Sequence, residues 1–391
     1  MAGPLRGIRV VELQGRGPGP FGAMVLADLG AEVLRVARLE DIATGDDESA
    51  TERNLSGHRR IDLLARGRHV VAIDLKQHDG VQAVLRLIDR ADVLIEPFRP
   101  GVAERLGIGP EVCLERNPRL VYTRITGWGQ TGPYAATPGH DLNYLALSGA
   151  LDPLRPRGQA PAPPLNLVGD FGGGGMLLAV GVLGALVERS VSGQGQVIDA
   201  AMVDGAALLT TMFHGMRAEG LWSDDYGSNV LDLGSPFYNV YETADSRYVT
   251  IACGEPKFYA ELVRILGLEE DLLEQQADPA TWPEGRARLA AVFRAKTRDE
   301  WCELLEGTDT CFAPVLGLWE APEHPHNRSR QTFIGVDGVV QPAPAPRFSR
   351  TPTTLRSIDG STEETSDFLA GWGCSREEIN ALGRADGRSN P

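Results

Sequence analysis

The sequence predicts an α/β fold built on a mostly parallel sheet, from three observations. Short apolar runs alternate with helix-patterned segments through the first half: "GIRVVEL", "FGAMVLADLG", "AEVLRV", "HVVAIDL", "GVQAVLRLIDRA" and "DVLIE". Strands alternating with helices indicate βαβ units. A glycine-rich stretch, "GRGPGP", joins the first run to the first helix pattern, where an open α/β sheet places a ligand-shaping turn. Finally, the 391 residues, of which 42% are hydrophobic, suffice for two or three domains with buried cores.

Taken in order, the first three runs read as strand, helix and strand. Residues 37–60 are polar, acidic and without period, so a solvated loop is expected there, and the Pro- and Gly-rich stretch 151–164 reads as another loop. A long apolar helix is expected from about Met176, and residues 198–220 read as a further helix ended by Gly220. "FYNVYET" and "RYVTIAC" then flank a turn at Ala244, Asp245 and Ser246, the pattern of a β-hairpin. Helices carrying "FYAELVRILGL" and "ARLAAVFRAK" follow, then a strand at "FAPVLGL". From about Gln331 the chain is rich in Pro, Ser, Thr and Arg with little core of its own, so it is expected to wrap another part of the structure. The expected division is a large domain at 1–205, a linker helix at 206–230, a small α+β domain at 231–325 and a returning segment at 326–391.

A formal net charge of -15 argues against nucleic acid as the main partner and against an anionic membrane surface. The longest apolar run, "MLLAVGVLGALV", falls short of the roughly 20 residues a membrane span needs and reads as a buried helix. No apolar leader is visible, and the five cysteines are scattered with no C-x-x-C spacing. We therefore expect a cytoplasmic protein with no disulfide framework and no metal site.

The glycine stretch raises the dinucleotide fingerprint G-x-G-x-x-G. Gly15 and Gly17 fit, but the third position is Pro20, and Pro18 and Pro20 remove two backbone donors that would cradle a pyrophosphate. The strand–loop–helix reading survives; a nicotinamide or flavin is not expected.

Two segments share a design. "TPGHDLNYLALSGAL" sets His140 and Asp141 at the start of an apolar helical pattern, and "NLVGDFGGGGMLLAV" sets Asp170 before a glycine run. Each Asp has an ordinary reading as an N-cap, and His140 one as a structural histidine. Gly172 to Gly175 would cost about 0.8–1.0 kcal/mol each against Ala in a helix, so something approaches that backbone closely, either a ligand or another helix. If one pocket holds His140 and Asp170, the pair suits proton transfer at carbon: a helix N-terminus keeps imidazole neutral as a base, and burial would have to raise the Asp170 carboxyl. Glu255, in "IACGEPKFY", stands at a strand-to-helix junction, either solvated and capping or set to orient an imidazole. Arg38, the stretch 66–76 and "EPFRPGVAERLG" place basic residues at expected strand ends, where anions bind or surface ion pairs form.

These motifs, with "RLVYTRITGWGQTGPYAATPGHDLNY", "GQGQVIDAAMVDG" and "PAPRFSRTP", resemble the family III CoA-transferase superfamily, and within it the α-methylacyl-CoA racemase branch. The resemblance runs from about Leu5 to Thr353 and is weakest at 37–60 and in the tail. It implies a Rossmann-like large domain binding CoA, a smaller second domain and an interlocked homodimer acting on an acyl-CoA partner. Arg38, Leu75, Lys76, Arg99 and Arg105 match positions contacting CoA, while His140 and Asp170 match the acid/base pair acting on opposite faces of C2. Glu255 matches the carboxylate that hydrogen-bonds the catalytic His, and the Asp141 main-chain N–H matches the donor to the thioester oxygen. No cofactor is implied beyond the CoA carried by the substrate. The superfamily also holds transferases, in which the Asp matching Asp170 is a nucleophile forming an acyl-enzyme; these generally lack the His, which this chain has. The racemase branch lays its acyl chain over a Met-rich surface, and Met212 with Met216 at i, i+4 reads here as ordinary core.

Overall fold

The computed structural model describes residues 3–38, 62–336, 338–353, 355 and 362–384. It divides into two compact units. The first comprises residues 1–148, 164–209 and 331–391, and the second 149–163 and 210–330.

The first unit is built on a six-stranded, wholly parallel sheet with β1 at Arg9–Leu13, β2 at Glu32–Ala37, β3 at Arg68–Ala72, β4 at Val93–Glu96, β5 at Val121–Thr126 and β6 at Val197–Ala201. Their order across the sheet is β3-β2-β1-β4-β5-β6. Val10, Val33, Val93 and Val121 pack on one face and Val11, Leu34, Leu94 and Tyr122 on the other, which is why these strands read as continuous apolar runs. The order turns back between β1 and β4. The loops after those two strands therefore diverge and leave a crevice at the carboxyl end of the sheet, the ligand position of open α/β folds.

One sequence expectation is corrected here. Residues 198–220 are not one helix: Val197–Ala201 is the edge strand β6, paired Tyr122↔Val197 through Thr126↔Ala201, and helices Met202–Leu209 and Thr211–Ala218 follow. The β-branched Val197 and Ile198 favour the strand, while the alanines after them carry a helical pattern that blurs the boundary. The long apolar helix begins at Leu177, as expected, and is preceded by helical turns of another kind. A π-helical segment, Leu167–Met176, runs directly into helix Leu177–Ser192. Together they are long and apolar enough, by length and composition, to cross a membrane. Leu178, Ala179, Val182 and Ala185 of this segment belong instead to the core on the sheet.

The loop expected at 37–60 lies almost wholly outside the described residues. The segment expected to wrap another part of the structure does so within its own unit: Leu369, Trp372, Cys374 and Leu382 join the core with Val11 and Leu34.

The second unit holds a three-stranded antiparallel sheet of β7 (Tyr238–Glu242), β8 (Tyr248–Ala252) and β9 (Phe312–Pro314). Helices Pro256–Leu266 and Trp282–Phe293 cover it around Tyr259, Leu262, Leu289 and Phe293.

Candidate active site

Two cavities open at the carboxyl end of the parallel sheet. The first, about 410 Å³, is lined by Gln14, residues 36–38 at the end of β2, residues 73–76 after β3, and Phe98, Val102 and Leu106. Arg38, Leu75 and Lys76 are thus brought together. The Arg38 N–H donates to Gln14 Oε1 at 2.9 Å and the Lys76 N–H to Asp74 Oδ1 at 2.9 Å, so the backbone carrying both cations is held by the ends of strands. Arg105 does not line this cavity. It is exposed on the short helix Val102–Arg105, whose apolar Val102 lines the wall instead.

The second cavity, about 460 Å³, lies on the other side of the crevice and contains both His140 and Asp170. Arg99 lines this one rather than the first, together with Arg16, Pro97, Pro100, Trp128, Tyr144 and Asn166. Among these, Arg16, Trp128, Tyr144 and Asn166 were not singled out from sequence. The only signal for Asn166 and Tyr144 was their spacing of four residues from Asp170 and His140.

His140 immediately precedes helix Asp141–Ser148. Its carbonyl accepts the Asn143 N–H at 2.8 Å and its own N–H donates to Asn143 Oδ1 at 3.0 Å, fixing the backbone that carries the imidazole. The Tyr144 hydroxyl donates to the Gly139 carbonyl, and Trp128 meets the Tyr144 ring edge-on with centroids 4.7 Å apart. A Cβ at Gly139 would fall 2.8 Å from Tyr144 and 3.0 Å from Trp128, so this turn requires glycine.

Neither Asp caps its own helix. Asp170 sits inside the first turn of the π-helical segment, after its N-cap Asn166. The buried Asp141 carboxylate reaches across to accept the Asp170 N–H at 2.7 Å. Asn166 Nδ2 donates to Asp170 Oδ2 at 3.2 Å. Burial pushes the Asp170 carboxyl above the ordinary range and outweighs the Asn166 hydrogen bond; the Asp141 charge pushes the same way and His140 opposes it.

The glycine run is explained by helices rather than by a ligand. A Cβ on Gly173 would meet the backbone of Gly205 and Ala206, on Gly174 Pro18 and Met202, and on Gly175 Phe21 and the Pro18 carbonyl, all within 3.0 Å. The segment carrying Asp170 is thereby wedged between helices Pro18–Asp28 and Met202–Leu209. Gly17, at φ +61° before the first of these, leaves its open side to Asp170 Oδ2, 3.0 Å from where a Cβ would stand.

Glu255 belongs to the second unit, between β8 and helix Pro256–Leu266, at whose N-cap it makes no side-chain cap. It is exposed.

The pattern of CoA-transferase family III matches residues 5–359. The chain belongs to CoA-transferase family III. It is 47% identical to the mouse protein "Alpha-methylacyl-CoA racemase" over 382 residues, 97% of this chain and 96% of the relative. The human protein of the same name is 44% identical over the same shares. A solved structure of a CAIB/BAIF family protein from Brucella suis is similar at a TM-score of 0.79 and 27% identity, covering 95% of this chain and 100% of that one.

Proposed function

We propose that this family III member is an isomerase: a racemase or epimerase of 2-methyl-branched acyl-CoA thioesters that inverts C2 by two-base proton transfer through an enolate. The observation that carries the reading is the shared cavity of His140 and Asp170, in a chain nearly half identical, end to end, to proteins named α-methylacyl-CoA racemase. Arg38 and Lys76 in the neighbouring cavity supply cations for the phosphates of CoA, and Leu75 and Phe98 an apolar bed for its adenine.

The chemistry needs two groups with different proton habits. His140 takes the C2 proton as a base on one face, while a carboxyl held above its ordinary range by burial is suited to hold and return a proton at the other. Charge develops on the thioester oxygen as the proton leaves, and the Asp141 N–H, free at the start of its helix, is the donor assigned to it. Glu255 enters by resemblance alone, as the carboxylate that fixes the imidazole tautomer. No further cofactor is required, because the thioester itself acidifies C2.

A homodimer belongs to the same proposal. Helix Leu177–Ser192 leaves Val180, Val187 and Val191 exposed on its outer side, with Val191 at 89%, and exposed Leu142, Leu147 and Leu208 stand on nearby helices of the unit. Exposed apolar side chains of this kind suit burial in a subunit contact.

The test is incubation with one pure enantiomer of a 2-methylacyl-CoA in D2O without an acid acceptor. Deuterium entering C2 with approach to a racemate is expected. No exchange from either enantiomer, with CoA transfer once carboxylic acids are added, would make Asp170 a nucleophile and end the reading.

A further inference from the structure

The two cavities share one wall, the loop 97–101 between β4 and helix Val102–Arg105. Phe98 faces the cavity of Arg38 and Lys76, while Pro97, Arg99 and Pro100 face that of His140 and Asp170. What holds the loop is a charge cluster outside both linings, buried at Glu96 and Arg124 and half-exposed at Glu104. Glu96, fully buried at the end of β4, accepts the Phe98 N–H on Oε1 at 2.5 Å and Arg124 Nε on Oε2 at 3.1 Å. Arg124, opposite Glu96 on β5, also reaches past the loop, with Nη1 and Nη2 donating to the two oxygens of Glu104 at 2.9 and 3.3 Å. One planar guanidinium therefore ties the strand before the loop to the helix after it, a span that needs its fixed fork of donors. Gly101, left-handed at φ +80°, turns the chain between the two anchors. From the β1 side, Gly15 leaves the room that Pro97 fills, since a Cβ there would stand 2.7 Å from Pro97 Cβ.

We propose that Arg124, clamped between Glu96 and Glu104, is a positioning residue that fixes the 97–101 loop as a common wall, so that one cluster sets both CoA affinity and the geometry of proton transfer. The proposal rests on the racemase reading for its catalytic half only; its binding half is read from CoA alone.

The experiment compares wild type, Arg124→Lys and Glu104→Gln in the full-length protein, measuring the Kd of free CoA by calorimetry, kcat for racemisation at saturating acyl-CoA, and Tm. Lysine keeps the charge but cannot bond both carboxylates in the same geometry. Arg124→Lys is expected to raise Kd about tenfold and lower kcat about tenfold. Glu104→Gln, at a half-exposed position where folding is not at stake, moves both in the same directions by about threefold. Unchanged Kd and kcat in folded variants would reduce the cluster to a stabilising one, and a change confined to one of the two would separate the cavities; either overturns the proposal. Losses that follow only the folded fraction would overturn it too. If the wild type does not racemise, the functional reading fails by itself, while a raised Kd in Glu104→Gln still supports the wall and an unchanged Kd still overturns it.

Discussion

Asp141 Oδ1 accepts the backbone N–H of Asp170 at 2.7 Å, so the side chain that follows one proposed proton-transfer residue positions the backbone of the other. The contact is close on every side, since a Cβ on Gly169 would stand 2.3 Å from the same oxygen. Asp141→Ala leaves the Asp170 N–H without its acceptor and frees the start of the π-helical segment. We expect kcat to fall by up to about 10²-fold, the cost of misplacing a reacting group by an ångström, with the Kd for CoA unchanged. Asp141→Asn keeps an acceptor and loses the charge, for a loss of about tenfold or less. Equal losses in the two variants would show that the carboxylate charge, rather than the tether, is what matters.

His140 and Asp170 are expected to serve opposite faces of C2, and the two-base reading separates exchange from inversion. His140→Ala and Asp170→Asn should each lower racemisation by about 10²–10⁴-fold. Each should still wash deuterium into the one enantiomer served by the remaining base, without inverting it. Mass spectrometry of each enantiomer after incubation in D2O reads this directly. Racemisation at the wild-type rate in His140→Ala would remove the histidine from the mechanism.

The parallel sheet was legible because both faces of its strands are buried, so the runs around Val10, Val33 and Val93 are apolar without alternation. The edge strand Val197–Ala201 was not legible, because its exposed side carries no apolar demand and the alanines that follow blend into a helix pattern. Asp170 and His140 could be picked out by their neighbours, yet the reading of Asp170 as a cap failed: the segment starts at Leu167, with a π-helical turn that no spacing rule announces. Asn166 and the reach of Asp141 toward Asp170 are tertiary facts. So is the purpose of Gly173 to Gly175, for which a ligand and a neighbouring helix leave the same mark in a sequence.

Gly205 tests that purpose. A Cβ there would lie 1.9 Å from the Gly173 carbonyl oxygen and 2.7 Å from its Cα, backbone atoms that cannot swing aside. Gly205→Ala must push helix Met202–Leu209 away from the segment carrying Asp170. We expect a loss of about 1–3 kcal/mol in unfolding free energy, read by denaturant titration. Gly215→Ala, inside helix Thr211–Ala218 with open space at its Cβ, is the control and should be neutral or slightly stabilising.

Glu96 gives a pH signature of its own. Burial pushes its carboxyl up to about 7 from an ordinary 4.5, against the charge of Arg124 and the Phe98 N–H, with Glu104 adding to the rise. Below pH 4.5 the group is protonated both folded and unfolded and contributes nothing. Between 4.5 and 7 the unfolded chain gives up this proton while the folded one keeps it, so stability falls as pH rises, by at most about 1.4 kcal/mol per pH unit, and the cost is complete above 7. Glu96→Gln resembles the protonated form and cannot ionise. The stability of wild type relative to Glu96→Gln, measured by urea unfolding, is therefore expected to decline between pH 5 and 8. A difference that stays flat would mean that Arg124 holds Glu96 ionised throughout, and one that grows with pH would mean that the ion pair stabilises the fold outright.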